Sequence, residues 1–336
     1  MFFYNFVMKE IVMFCEDVLC RGSVPFLKES YNVSYRDFSL LLSKEGVRLL
    51  VANFKDYSNL KVLKYWVFDG GWILKSEPVE VKCVFDKFPG VCNKSRFIKK
   101  EFLDNNIKVL NHPDLEFLFK DKFLTYEKFN DISPASILLN DSFEDIVKKI
   151  HYLRSKRLHD DLDSNILFFK PRFGHGGKGI IVISGNDFSS LKDIEFKEYI
   201  MQPLIKIKSL PNRGLHGLYD LRFVMDSSRI WVCYARVPEK GFISNVGDSV
   251  GFGNEVFLEV GSLSEDFISF GNVVNKKLDS FGIRLFSLDF VVGESGKFWL
   301  IELNGKPGLV YKTTSSIRRA VETQKATVDV IKRLVN

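Results

Sequence analysis

Residues 166–184 read ILFFKPRFGHGGKGIIVIS, and the reading of this stretch decides the fold. Gly174, Gly176 and Gly179 spell G-x-G-x-x-G, the pattern of dinucleotide-binding turns. That pattern works only as strand, glycine turn and helix, because the pyrophosphate sits on the helix N-terminus. Here the turn is followed by GIIVIS, which is apolar and β-branched, so a second strand is expected. A P-loop fails as well, since Lys178 precedes Gly179 where Ser or Thr should hold the metal. What remains is a strand–turn–strand flap whose small residues let backbone N–H groups approach phosphate oxygens. Taken alone, such a segment is more simply an ordinary hairpin with glycines at positive φ. The residues around it change that balance.

A second hairpin is written in residues 287–305, SLDFVVGESGKFWLIELNG, where two apolar strands flank a turn from Gly293 to Gly296. Glu302 and Asn304 are two apart on the second strand and leave the same face; Asp289 on the first strand can join them. Carboxylates among Leu, Ile, Phe and Trp are costly unless something cationic compensates. Oxygen ligands with no His or Cys suit Mg²⁺, with Mn²⁺ as a substitute, shared with nucleotide phosphates. The competing reading is a strand with a polar, solvated outer face. Lys306 and the rigid Pro307 follow directly behind these ligands.

Outward from the hairpins, residues 1–110 alternate strand and helix patterns and form an α/β lobe. KEIVMFC is a strand candidate, SYRDFSLLLSKEGVRLLVANF has helix-like apolar spacing, and LKYWVFDGG and VEVKCVFDKF are β-rich. A second section, 111–197, opens with the helical HPDLEFLFKDKFLTYEKFND. It continues through Pro134, a short strand and the helix SFEDIVKKIHYLRSKRL to the glycine flap. From residue 198 to 336 the pattern is mainly strands, closed by a helix from about Ser315.

The chain has 336 residues, 46% of them hydrophobic, enough for one large core or two or three smaller ones. Its 48 basic and 42 acidic residues are interspersed, with a net charge of +6 and no basic block, which speaks against a nucleic-acid partner. Cys15, Cys20, Cys83, Cys92 and Cys233 are odd in number and form no C-x-x-C, as expected of buried thiols in a cytoplasmic protein. The apolar start is interrupted by Lys9, Glu10, Glu16 and Asp17, so a buried strand is expected there, with neither signal peptide nor membrane span.

Five ordered segments between Asn111 and Gly308 resemble the ATP-grasp superfamily, in particular the branch of glutathione synthetases and ribosomal-protein glutamate ligases. They are KDKFLTYEKFNDISPASIL, ILFFKPRFGHGGKGI, EYIMQPLI, DLRFVMDSSRIWVCYARVPEKGFISNVG, and SLDFVV with WLIELNGKPG. The resemblance implies an α/β (α+β) ATP-grasp fold: an N-terminal pre-ATP-grasp domain, a lid subdomain with the flap and a core subdomain with the metal site, ATP lying between two β-containing lobes. Lys122 and Lys170 match phosphate-contacting lysines, and Gly174, Gly176, Gly177 and Gly179, with His175 among them, match the phosphate-covering flap. Met201, Gln202, Pro203 and Leu204 match the adenine linker, and Asp220 joins the nucleotide-binding set. Asp289, Glu302 and Asn304 match the magnesium ligands. Arg222, Arg236 and Asn245 match catalytic positions facing the phosphates and the reacting carboxylate. For Arg236, set among apolar residues, a functional partner is expected to balance a buried charge. After Asn245 this chain reads VGDSVGFGN, where the family usually has a tighter glycine pair.

The activity so implied is a carboxylate–amine ligase working through an acylphosphate, with ATP and Mg²⁺. Its partners would be small-molecule carboxylates and amines, or a protein acceptor, and homo-oligomers are common in the family. Arg213, His216 and Arg318 would suit acidic substrates, or stand solvated. A kinase built on the same nucleotide cradle and a non-catalytic ATP-binding scaffold are the rival readings.

Overall fold

The structure is a computed structural model describing residues 8–88, 93–140, 142–174, 176–192, 194–238, 254–311 and 316–336. In the N-terminal lobe, Ile11–Phe14 of β1 (Lys9–Phe14) and Leu49–Ala52 of β2 (Val47–Ala52) are apolar and buried on both faces, as parallel central strands require. Between them lies α1 (Glu29–Lys44). The stretch expected to be one helix through Phe54 is therefore split: Gly46 takes φ +73° and ends the helix, and VRLLVA continues as β2. The short β3 (Tyr57–Ser58) and β4 (Lys61–Val62) form a side sheet with β7 (Val79–Glu80). β5 (Tyr65–Phe68), β6 (Trp72–Lys75), β8 (Cys83–Asp86) and β9 (Lys108–Leu110) complete the main sheet, whose order is β6-β5-β2-β1-β8-β9. β2, β1, β8 and β9 run parallel, with α2 (Asn93–Asp104) crossing between β8 and β9.

α3 (Pro113–Lys120) starts on an N-terminal proline with acids in its first turn, and α4 (Lys122–Lys128) is capped by the Asp121 carboxylate. Then come β10 (Ile137–Leu139), α5 (Phe143–Ser155), β11 (Leu162–Pro171), β12 (Ile181–Ser184) and β13 (Tyr199–Ile205), giving a four-stranded sheet in the order β10-β13-β11-β12. Its β13 lies beyond residue 197. Leu115 and Phe119 of α3, and Phe129 just after α4, join the core of the next sheet.

That next sheet holds β14 (Asp220–Asp226), β15 (Ile230–Val237), β16 (Asn254–Leu258), β17 (Leu285–Val292) and β18 (Phe298–Asn304) in the order β16-β15-β14-β17-β18. Its pairs are all antiparallel. Phe223, Phe286, Leu288 and Phe290 face α6 (Glu265–Lys276), which the strand-dominated expectation for this section missed. The opposite face is shared: Val224, Val232, Tyr234 and Leu285 join one continuous core with α7 (Ile317–Val335) and the N-terminal sheet. Among the described residues Cys15, Cys20, Cys83 and Cys233 are free thiols, and no helix is long and apolar enough to cross a membrane.

Candidate functional site

β11 and β12 pair antiparallel from Ile166↔Ser184 to Phe169↔Ile181, so the glycines sit in a hairpin turn with no helix behind them. Gly176 and Gly177 adopt φ +68° and +71°, a region closed to most side chains. At Gly176 a Cβ would meet nothing, whereas at the flap base a Cβ added to Gly179 would lie 2.9 Å from Pro171 Cγ. Beneath this flap lies a cleft of about 1180 Å³, its open mouth included, between the four-stranded and five-stranded sheets.

Lys122 and Lys170 enter the cleft from opposite elements. Lys122, first residue of α4, donates to Gly174 O at 2.7 Å and stands 3.7 Å from Glu302 Oε1. Lys170 on β11 donates to Gln202 Oε1 at 2.8 Å, and Gln202 in turn donates to Ser136 Oγ at 2.7 Å. Burial pulls the Lys170 ammonium down to about 8, with Lys122 adding to the fall and Glu302 opposing it. A buried lysine so depressed gains most from an incoming anion. Asp121, which the sequence reading passed over, organises this corner: fully buried, it accepts from Arg172 Nε and NH2 at 2.8 and 2.7 Å while capping α4. The flap base and the Lys122 backbone are thereby one unit. The only sign in sequence was an acid before Lys122 and an Arg after Lys170-Pro171.

On the cleft side of the five-stranded sheet, the register lines up a row of charges. Asp289 stands opposite Glu302 on β18 and opposite Arg222 on β14, and Arg236 stands opposite Asp220. Arg222 grips Asp289 with two bonds of 2.5 Å, and Arg236 adds a third at 2.8 Å while also pairing with Asp220. Burial alone would raise the Asp289 carboxyl, but these two guanidinium groups outweigh it and hold the group below the usual carboxylate range. The cationic compensation demanded by the sequence is thus protein-borne. Arg236, 8% exposed, where a functional partner was expected, is balanced by the cleft residues Asp220 and Asp289.

Of the residues singled out in sequence, Lys122, Lys170, Gly174, Gly176, Gly177, Gln202, Pro203, Leu204, Asp220, Arg236, Asp289 and Glu302 line this one cleft. Met201 does not; it is buried in the four-stranded sheet's own core. Gly179 lies at the flap base, and Arg222 lies beneath Asp289. Asn304 is next along the Glu302 face, its Oδ1 accepting from Lys306 N–H at 3.0 Å. His175 and Asn245 lie outside the described residues. Arg213 stacks over Phe267 of α6, and the exposed Arg318 pairs with Glu259 at 2.5 Å; neither is among the residues that line the cleft.

Among the described residues no group of three or more His, Cys, Asp and Glu gathers. The candidate metal donors are a carboxylate pair with an amide beyond it. An oxygen-only set of this size fits Mg²⁺, which takes its remaining ligands from water and phosphate. No family model and no curated relative matches the sequence. Solved structures do. D-alanyl-alanine synthetase A from Vibrio cholerae is similar over 98% of this chain and 99% of its own, at TM-score 0.64 and 15% identity. The ATP-grasp ligase PsnB, solved with minimal precursor, Mg and ADP, is similar over 97% of both chains at TM-score 0.58 and 12% identity. The chain has the ATP-grasp fold. A third ATP-grasp structure, a RimK domain protein from Sphaerobacter thermophilus, is similar over 96% of this chain and 99% of its own, at TM-score 0.59 and 10% identity. At such identities the ATP-grasp likeness is one of fold, and chemistry must be argued from the cleft.

Proposed function

We propose that this protein is an ATP-dependent carboxylate–amine ligase that forms an amide through an acylphosphate and releases ADP and phosphate. The supporting observation is the convergence in one cleft of two lysines, a glycine flap, the Asp289–Glu302 pair and Arg236. In this reading Lys122, Lys170 and the flap N–H groups hold the ATP phosphates, and the backbone of Gln202–Leu204 borders the adenine. When bound, Mg²⁺ held by Asp289, Glu302 and Asn304 would neutralise phosphate charge.

A substrate carboxylate oxygen attacks the γ-phosphorus in line, and the bond to the β-phosphate oxygen breaks to give ADP and an acylphosphate. The amine nitrogen then attacks the acyl carbon, Arg236 stabilises the oxyanion, and the C–O bond breaks as phosphate leaves with loss of an amine proton. Arg222 acts one step removed by orienting Asp289. No protein nucleophile is needed. Closure of the flap keeps water from the acylphosphate. The partners are a small carboxylate and an amine, amino acid or peptide, with a protein terminus as the alternative acceptor.

The test is ATP turnover with Mg²⁺ and pooled amino acids and short peptides, resolving ADP, AMP and phosphate. Pool-dependent ADP and phosphate, abolished by Asp289→Ala, are expected. Phosphate transfer to a hydroxyl without phosphate release would replace the ligase by a kinase, and ATP binding without turnover under any pool would favour the scaffold.

A further inference from the structure

The segment that follows the candidate metal strand, residues 304–308, is gripped from outside its own sheet. Gly305 O accepts from the buried Asn111 amide at 2.7 Å. Gly305 also packs so closely beneath Asn111 and Phe119 that an added Cβ would lie 3.3 and 3.4 Å from them. Lys306, expected to stand behind the ligands, turns away from the cleft. Its Nζ lies 3.2 Å from Asp86 Oδ1 and 3.5 Å from Glu116 Oε1, and it donates to Phe88 O. Pro307 O accepts from Lys87 Nζ at 2.9 Å. Asp86 closes β8 of the N-terminal sheet and Lys87 and Phe88 follow it; Lys99 on α2 completes the cluster by pairing with both Asp86 and Glu116. Asp86 and Glu116 are 2% and 3% exposed, so removing one partner leaves a buried charge uncompensated.

Buried ion clusters are weak evidence for stability, but they fix orientation, and this one fixes the strand end that carries Glu302 and Asn304. We infer that Lys306 is a positioning residue: it ties the metal-bearing strand to Asp86 and Glu116, so that the N-terminal domain sets the affinity of the cleft for a divalent metal–nucleotide complex. The inference rests on the ligase reading of that cleft. An alternative role as interdomain glue predicts a different result. Glue lowers thermal stability without separating metal affinity from nucleotide affinity; a positioning residue separates them.

The experiment is Mn²⁺ binding to the full chain in the presence of ADP, followed by electron paramagnetic resonance, beside ADP binding in chelator. Ligand-orienting residues typically govern metal affinity by about 10–100-fold. Lys306→Met is expected to weaken Mn²⁺ about 10-fold while metal-free ADP affinity stays within about 2-fold, and Lys306→Arg should recover most of the loss. Lys87→Met, which removes only the grip on Pro307, should give a smaller loss in the same direction. Wild-type Mn²⁺ affinity in a folded Lys306→Met, whatever its melting temperature, would overturn the inference. Should that variant not fold, unchanged Mn²⁺ affinity in Lys87→Met overturns it instead. Absence of Mn²⁺–ADP binding in the wild type is a separate result, which removes the ligase reading and this inference together.

Discussion

The two glycine hairpins look alike in sequence and are built for opposite ends. In the 171–181 flap, Gly176 takes φ +68° with open space where a side chain would be. In the 292–298 hairpin, Gly293 lies beneath Asp161, whose Oδ2 would be 2.1 Å from an added Cβ. Asp161 accepts from Ser295 N and Oγ, both at 2.7 Å, and from Trp299 Nε1 at 2.9 Å, so this turn is pinned to the segment leading into β11. One turn uses glycine for conformation at a mouth, the other for close approach at a joint. The flap turn is left unobstructed while the turn before β18 is held by Asp161.

That contrast is open to attack, starting where the effect is largest. Asp289→Ala, next to the rigid hairpin, should lower ligase turnover by roughly 10³-fold, as loss of a principal electrostatic group does, measured as phosphate release. Gly293→Ala should cost about 3 kcal/mol of stability, because the Cβ and the Asp161 carboxylate cannot both be accommodated. Chemical denaturation checks this, and a wild-type midpoint would show that the turn is not pinned. Gly176→Ala should leave the melting temperature within a few degrees, costing about 1 kcal/mol for the left-handed backbone, yet reduce kcat/KM about 10-fold through the flap. If it destabilised as much as Gly293→Ala, the distinction between the hairpins would fail.

The smallest effect is one of pH. Lys170 is charged below about 8 in the ligand-free cleft, so ATP affinity should fall several-fold as pH rises from 7.5 to 9.5, and Lys170→Met should flatten that slope. The stability sign is opposite. Because the folded value lies below the unfolded one, the unfolded chain binds more protons between about 8 and 10.5, and this group's penalty on folding is relieved as pH rises through that window.

Much of this was legible because it is local. The apolar run after Gly179 excluded a helix, and the i, i+2 spacing of Glu302 and Asn304 placed them on one face. The helical pattern of 112–131 was legible too, but its division at Asp121 into α3 and α4 was not. The helix expected through Phe54 failed for a local reason too: VRLLVA is apolar apart from the exposed Arg48, and such a run fits a buried strand as well as a helix side. Other features depended on pairing between distant segments. Asp121 with Arg172, Lys306 with Asp86, and Arg236 with Asp289 join residues far apart in the chain, and charge type alone does not choose among 90 candidates, 48 basic plus 42 acidic.

The sequence by itself determined the hairpins, their glycine turns and the oxygen character of the candidate metal donors, since strand period and backbone sterics act over a few residues. Only the tertiary structure decided which arginines neutralise Asp289, that Arg213 and Arg318 are spent elsewhere, and that Lys306 reaches back to the N-terminal sheet. The physical reason is the cost of burying charge. Each buried ion must find a counter-ion within hydrogen-bonding distance, and which one it finds is set by how whole sheets and helices pack.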